Sequence, residues 1–367
     1  MSSSLLSIDQ ALKGWHEGFL AWARDVGVSL PPPLLDGVPP DAGPPRHTEV
    51  LFGESRGHAL WTQWSDIPGA TARDILLQMV STQADCHMGG VEMQRNLLDA
   101  APTPEDQEAL RFLIQENVTS AAALGGLLIR HFPKRGAIAA AALLERRAYL
   151  RTRVLNAFNH PLRHWLDLMC FVAFVNLCAK LALETMAVGG FAPVAGCAEK
   201  LVQQHGEHAR LGARGLARVV QAGRVEPALL QRYVNRWVAL ALDLFGWDRS
   251  ETAALAYRSG LKGRVHEMER SEPPEDPTQL NDDARMRWLF EVENILAGLN
   301  RTNLRGQPLK VPPKYANRAI TDDARPTGRG AAVPDERSGS ADWPLPTSED
   351  DERVQQIMSQ KGWIAAP

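Results

Sequence analysis

Residues 200–220 read KLVQQHGEHARLGARGLARVV, and this stretch decides the fold class. Its apolar residues return at three- and four-residue intervals, the period of an amphipathic α-helix. His205 and His208 are three residues apart, so they share one helical face. Bundles that hold metal between their helices usually carry Glu-x-x-His on such a face. The stretch therefore predicts a core helix of a bundle, with His-x-x-His where Glu-x-x-His would be expected.

The composition is that of a globular protein. The chain has 367 residues, of which 44% are hydrophobic, enough for a well-buried core. Its formal net charge is −3, so no broad electrostatic field steers it toward nucleic acid or an anionic membrane. The four cysteines lack Cys-x-x-Cys spacing and lie in apolar, helix-like surroundings, as expected for free thiols in a reducing compartment. The N-terminus lacks the pattern of a signal peptide, and we expect a cytoplasmic location.

Residues 165–186, WLDLMCFVAFVNLCAKLALETM, form the stretch most similar to a membrane span. Asn176, Lys180 and Glu184 interrupt its apolar run, and no other stretch of the sequence behaves like a second span. We therefore expect a buried bundle helix here and no membrane partner. Glu184 is expected to pair with Lys180, four residues earlier, or with an arginine of a neighbouring helix.

The chain divides into three parts. Residues 1–70 contain a first helix and a lead-in whose many prolines exclude regular structure. Residues 71–300 predict an all-α helical bundle. Residues 301–367 predict an extended tail, whose Ile357, Met358, Trp363 and Ile364 are candidates for docking on the bundle. The predicted core helices are 72–99, 106–131, 162–188 and 194–221, followed by helices at 226–244, 250–259 and 281–299. Thr103 is expected to cap the second core helix, with Pro104 at its first position.

Polar residues on the predicted core helices recur at matching intervals. His87 and Asn117, on the first two helices, are 30 residues apart, and Asn176 and His205, on the last two, are 29 apart. A carboxylate di-metal bundle takes one Glu or Asp from each of two helices and Glu-x-x-His from each of the other two. The chain keeps this spacing, but the residue types at the ligand positions differ. Where six ligands would be expected, it carries His87, Asn117, Ser120, Asn176, His205 and His208.

Six stretches are more distinctive than generic helix. They are LLERRAYLRTRVLNAFNHPLRHWLDLMCF (143–171), GGFAPVAG (189–196), YVNRWVALALDLFG (233–246), GLKGRVHEM (260–268), WPLPTSEDDERV (343–354) and GWIAAP (362–367). Together they resemble the benzoyl-CoA epoxidase oxygenase subunits, a ferritin-like di-iron family, over nearly the whole chain. The resemblance implies a ferritin-like bundle and two irons that activate dioxygen with electrons from a reductase partner. The implied substrate is an aryl-CoA thioester.

The resemblance also implies that most metal ligands of this family have been replaced. Its glutamates fall on His87, Asn117 and His205, its acidic residue of the third helix on Asn176 or Cys178, and one histidine on Ser120; only His208 matches. Neutral residues do not balance the four positive charges of two ferrous ions, so an ordinary di-iron centre is not expected. Glu116 or Glu207 would have to rotate inward, and one residue along a helix turns a side chain by about 100°.

Three functions remain open. In the first, His87, His205 and His208 bind one transition metal ion, with iron first and copper, manganese, nickel or zinc as alternatives. The chain is then a metal-dependent oxidoreductase of the oxygenase type, and the candidate catalytic or supporting residues are Glu116, Glu207, Asn117, Ser120 and Asn176, with Gln83 and Asp85 as further outer partners. In the second, the same pocket performs acid–base chemistry without metal. In the third, the chain is a non-catalytic subunit or scaffold.

The expected partner is a small molecule, for which the resemblance points to a CoA or carrier-protein thioester. Four arginines, Arg210, Arg214, Arg218 and Arg224, are candidates for contacts with its phosphates, although most helical arginines are solvated or salt-bridged. Cys86 and Cys178 flank the predicted site, where a buried thiol more often serves as a small apolar side chain than as a ligand.

Overall fold

The computed structural model describes residues 7–246, 250–268, 280–302, 306–311 and 344–367. In these ranges the structure is helical, and extended pairing is confined to two isolated β-bridges, Glu49–Ala59 and Trp61–Phe191. The helices are α1 (Ile8–Asp25), α2 (Pro32–Asp36), α3 (Ala70–Gln94), α4 (Pro104–His131), α5 (Pro133–Glu145), α6 (Trp165–Ala187), α7 (Ala192–Ala222), α8 (Pro227–Asp243), α9 (Glu251–Arg258), α10 (Leu280–Arg301) and α11 (Ser348–Met358). The predicted all-α, ferritin-like bundle is confirmed.

Helices α3, α4, α6 and α7 are the four core helices, and their bounds follow the sequence signals. The Thr103 side chain accepts a hydrogen bond from the backbone N–H of Asp106, and Pro104 opens α4, as predicted. Helix α7 carries Pro193 in its first turn and ends at Gly223, whose φ of 64° is the left-handed conformation favoured after a helix. Local chemistry therefore sets where these helices begin and end.

Three helices were not predicted: α2, α5 and α11, the last of which lies in the tail that was expected to be extended. Helix α2 lies in the lead-in that the prolines were expected to keep irregular, and this expectation was wrong. Pro32 and Pro33 occupy its first turn, where a missing backbone N–H costs no helical hydrogen bond. Helix α5 follows α4 after a single residue, Phe132, and packs against α1, α3 and α4. It lies in the long connection that carries the chain from α4 to α6.

Helices α6 and α7 share the most extensive contact in the bundle. A Cβ atom on Gly212 of α7 would lie only 2.3 Å from the backbone nitrogen of Ala173 on α6, so glycine lets the two backbones approach closely. Helix α6 is buried on nearly all sides. By length and composition both α4 and α6 could cross a membrane, so the expectation of one such stretch was wrong; most of each is buried against other helices.

A buried ion-pair network fastens the connection between α5 and α6 to the core. Arg153 donates from Nη1 to Asp85 at 3.0 Å and from Nη2 to Glu92 at 2.5 Å, both carboxylates lying on α3. The Arg153 side chain is fully buried. Glu92 also accepts hydrogen bonds from the Trp22 indole and the Ala148 backbone. The network holds the turn that carries Phe158 next to α3, where the Phe158 Cβ packs close to Gly89.

Residues 344–367, the described end of the predicted tail, lie against α7, α8 and the residues just before α6. Residues 312–343 are outside the described ranges. The His164 ring donates to the Tyr233 hydroxyl at 3.0 Å, and Tyr233 donates to Asp351 of α11 at 2.8 Å. Trp363 and Ile364 are buried beyond α11. These two of the four side chains expected to dock thus contribute to the core, whereas Ile357 and Met358 are half-buried.

Candidate functional site

The site is built from two matching pairs of side chains. His87 on α3 donates from Nδ1 to Oδ1 of Asn117 on α4 at 2.9 Å. His205 on α7 donates from Nδ1 to Oδ1 of Asn176 on α6 at 2.8 Å. The two imidazole rings face each other across the bundle axis with their centroids 5.1 Å apart. The spacing recognised in the sequence therefore brings all four side chains together.

The two asparagines are oriented by the helices that carry them. The amide nitrogen of Asn117 donates to the Leu113 carbonyl at 3.1 Å, and that of Asn176 donates to the Val172 carbonyl at 3.0 Å. Each acceptor lies one turn earlier in the same helix, so the Oδ1 atom points the other way, toward the histidine. A carboxamide oxygen only accepts, and the histidine Nδ1 must therefore carry the proton.

His208 has a different partner. Its Nε2 donates to Glu116 on α4 at 2.6 Å, and its ring centroid lies 5.9 Å from that of His205. The Glu116 side chain is 31% exposed, so this pair lies at the outer edge of the site. Ser120 donates to Gln204 at 2.9 Å, which ties α4 to α7 beside the histidines. His208 and Glu116 pair with each other, whereas Ser120 pairs with Gln204, so the three side chains do not converge on one position.

The inner histidines lie in an environment that disfavours charge. Burial lowers the pKa of His87 to about 4, although the hydrogen bond to Asn117 opposes this shift. Burial also holds the pKa of His205 well below its usual value, and the neighbouring His87 and His208 act in the same direction. At neutral pH both rings are therefore uncharged, with a lone pair on Nε2. Neither Nε2 atom has a hydrogen-bond partner within the described parts of the chain.

A cavity of about 100 Å³ lies beside the inner histidines. Its polar lining includes His87, Asn117, Asn176 and His205, and its apolar walls include Phe158, Phe171, Leu155, Val175 and Leu244. Cys86 and Cys178 also line it; burial raises the pKa of the Cys86 thiol, which keeps this sulfur protonated and a poor metal ligand. Of the described residues that line this cavity, none is a carboxylate.

Two proposed outer partners lie elsewhere. Glu207 is 68% exposed and pairs with Arg210 on the outer face of α7. Asp85 is fully buried in the Arg153 network rather than at the histidines. The predicted pairing of Glu184 with Lys180 is present at 2.8 Å, and Arg287 of α10 joins it. Arg218 pairs with Asp106, so this guanidinium is not free for a phosphate.

Several residues at the site were not predicted from the sequence. Gln94 contacts Asn117 and lines the cavity, and it lies two helical turns after His87, so helical periodicity alone could have identified it. Gln204 precedes His205 directly. Phe158 comes from the connection between α5 and α6, and Phe171 from an almost wholly apolar helix. For these two aromatic rings the sequence carried no local signal.

The arrangement does not fit a di-iron centre. Two ferrous ions need several carboxylates for charge balance, but none lines the cavity among the described residues, and Glu116 at the outer edge of the site already accepts from His208. Among the described residues no three His, Cys, Asp or Glu side chains are grouped so as to hold a metal ion. His87 and His205 nevertheless resemble metal-binding histidines. Each has an Nε2 atom without a partner among the described residues and donates its other ring N–H to an oxygen, as a metal-bound histidine usually does.

Comparisons with known proteins agree with this architecture. Residues 62–288 match the model of a family described as phenylacetic acid catabolic protein. The chain is also 28% identical to benzoyl-CoA oxygenase component B of Aromatoleum evansii, over 98% of this chain and 93% of that relative. The family match covers more than half of the sequence and includes all four core helices. The chain therefore belongs to the phenylacetic acid catabolic protein family of ferritin-like di-iron oxygenases.

Proposed function

We propose that this protein is an oxidoreductase of the oxygenase type that acts on an aromatic acyl thioester. One metal ion, with iron the first choice, would be held by His87, His205 and His208, which requires His208 to move closer to the inner pair than it lies in the described structure. The substrate class rests on the similarity to benzoyl-CoA oxygenase component B. The two uncharged imidazoles, each with an unpaired Nε2 atom in an aromatic-walled cavity, carry the proposal.

The cavity has the size and walls for a small aromatic ring. Apolar cavities of about 150 Å³ hold benzene in other proteins. The space of about 100 Å³ beside the packed Phe158 and Phe171 rings would accept one ring after a small movement of its walls. Aromatic side chains favour ring substrates through stacked and edge-to-face contacts. The cofactor nucleotide of a CoA thioester would remain outside this space.

The histidines have separate roles in this proposal. His87 and His205 would bind through Nε2 while their Nδ1 protons stay on Asn117 and Asn176. His208 would offer Nδ1, which also lacks a partner among the described residues, while its Nε2 proton stays on Glu116. When bound, the ion supplies a site for dioxygen reduction. Phe158 and Phe171 exclude water from the reacting ring.

The overall reaction needs a second protein. Insertion of one oxygen atom from dioxygen into the substrate reduces the other atom to water and consumes two electrons and two protons. We propose that a reductase delivers these electrons, as the sequence resemblance implies. The four cysteines form no disulfide with one another, which agrees with a cytoplasmic location, where such a donor is reduced.

Metal content and substrate turnover test the proposal together. Freshly purified protein is analysed by inductively coupled plasma mass spectrometry beside a His205→Ala/His208→Ala double variant and an exposed-histidine control, His58→Ala. We expect about one metal per chain in the wild type and the control and far less in the double variant. When a reductase and benzoyl-CoA are added, the oxygen-dependent loss of substrate should rise and fall with the metal content of each protein. Two irons per chain would refute the single-ion site.

A metal-free enzyme is the second candidate. It is favoured by the pairing of His208 with Glu116, which draws this histidine away from the inner pair. In that case the Nε2 atoms of His87 and His205 would accept protons or hydrogen bonds from a polar ligand. Turnover that persists in protein stripped of metal by a chelator would establish this alternative. Absence of both metal and turnover would leave a non-catalytic subunit.

A further inference from the structure

The two Asn–His pairs repeat one local design in opposite halves of the bundle. In each half the asparagine amide donates to the carbonyl one turn earlier, at 3.1 Å for Asn117 and 3.0 Å for Asn176. In each half the asparagine oxygen then accepts from a histidine Nδ1 on the neighbouring helix. All four side chains are at most 6% exposed. Water therefore has little access to any of these hydrogen bonds.

The repeated design determines the state of each imidazole. If an asparagine amide were reversed, its NH₂ group would face the histidine and its oxygen would face a backbone carbonyl, leaving two acceptors in contact. Burial makes such a mismatch cost roughly 1–3 kcal/mol. Oδ1 therefore stays on the histidine side. The imidazole proton stays on Nδ1, and the lone pair stays on Nε2.

We propose that Asn117 and Asn176 are positioning residues that fix His87 and His205 as Nδ1–H tautomers, so that the two Nε2 lone pairs bind one divalent transition-metal ion. The ligand class follows from the donor set: neutral imidazole nitrogens suit borderline divalent ions, and the described cavity lining has no carboxylate to attract a harder one. This inference rests on the proposed metal site. Its first test nevertheless requires neither metal nor activity.

Tautomers are observed directly in metal-free protein. Nitrogen-15 NMR of protein labelled at histidine distinguishes Nδ1–H, Nε2–H and imidazolium forms, and His87→Gln and His205→Gln variants assign the two signals. We expect both rings to be neutral Nδ1–H tautomers at neutral pH. An Nε2–H tautomer or an imidazolium at either position would overturn the positioning role, whether or not the protein is an oxygenase.

Metal affinity is then measured with zinc alone by isothermal titration calorimetry. Asn117→Leu and Asn176→Leu keep the approximate volume but remove the acceptor, and we expect each to weaken zinc binding by roughly 10–100-fold, the usual effect of losing a histidine's outer partner. Asn117→Asp and Asn176→Asp restore an acceptor and should retain affinity and tautomer. Asn235→Leu removes a buried asparagine that contacts Pro344 instead of a histidine, and serves as the control.

The outcomes separate the two parts of the inference. Equal zinc affinity in the wild type and both leucine variants would overturn the positioning role. Correct tautomers in a wild-type protein that binds neither zinc nor ferrous iron would overturn the ligand class, and with it the metal-dependent function. Weaker binding in the leucine variants with recovery in the aspartate variants would support both parts. Circular dichroism confirms that each variant remains helical.

Discussion

Replacing Gly212 by alanine is expected to separate the two helices that carry Asn176 and His205. A Cβ at position 212 would lie 2.3 Å from the Ala173 nitrogen and 2.7 Å from its Cα, whereas ordinary van der Waals contact begins near 3.4 Å. Both obstructing atoms belong to the α6 backbone, which has no alternative rotamer. Relief therefore requires a relative movement of α6 and α7 by about 1 Å at this level. Overpacking of this kind costs typically 1–3 kcal/mol.

Gly206 on the same helix provides a matched control. A Cβ there would meet only the Lys180 side chain, at 3.6 Å, which is ordinary contact. Glycine to alanine within a helix gains roughly 0.5–1 kcal/mol of intrinsic stability at either position. The gain cancels when the two variants are compared, so their difference isolates the steric cost. Gly212→Ala should therefore be about 1–3 kcal/mol less stable than Gly206→Ala.

Urea unfolding followed by circular dichroism at 222 nm measures this difference. We expect a lower midpoint for Gly212→Ala, and a weaker His205–Asn176 hydrogen bond in the histidine NMR spectrum. If Gly212→Ala is as stable as Gly206→Ala, the close approach of α6 and α7 does not exist as described.

Three further predictions concern buried polar groups. Arg153→Met leaves Asp85 and Glu92 buried without their shared partner and should lower the free energy of unfolding by about 3–5 kcal/mol, whereas the exposed Arg210→Met should change it by less than about 0.5 kcal/mol. The folded-state pKa of His87 is about 4, below the ordinary value of 6.5. Between pH 6.5 and pH 4 the unfolded protein therefore binds a proton on this histidine that the folded protein does not. Stability should fall by about 3 kcal/mol from this group as pH drops from 6.5 to 4, and His87→Gln should remove that share of the pH dependence in urea titrations. Asp351→Ala removes the acceptor of Tyr233 and should expose residues 344–367 to limited proteolysis, while the exposed Glu352→Ala should not.

Helix bounds were predictable because their signals are local. Thr103, Pro104 and Gly223 determine helix ends through hydrogen bonds and backbone angles within one turn of themselves. The four inner side chains of the site were also predictable, since the 30- and 29-residue intervals place His87 beside Asn117 and Asn176 beside His205. Helical periodicity and a known spacing were enough for both results.

Orientation within the site could not be predicted in the same way. Asp85 is two residues from His87, yet it points to Arg153, 68 residues later in the chain. Glu116 turns to His208 while Glu207 turns to solvent, although no sequence pattern distinguished these two glutamates. Phe158 reaches the cavity through a connection whose path depends on a buried ion pair. These outcomes depend on partners distant in sequence, which no local pattern contains.

The repeated Asn–His pairs also constrain how this site can evolve. A histidine at position 87 needs a hydrogen-bond acceptor at 117, and one at 205 needs the same at 176. A change at a single position leaves a buried polar atom without its hydrogen-bond partner. Substitutions that change both members of a pair therefore cost less stability than a change of one member alone. Across related sequences we expect positions 87 and 117 to covary, and positions 176 and 205 to covary independently of them. Ancestral reconstruction should accordingly find the two halves altered as separate double events.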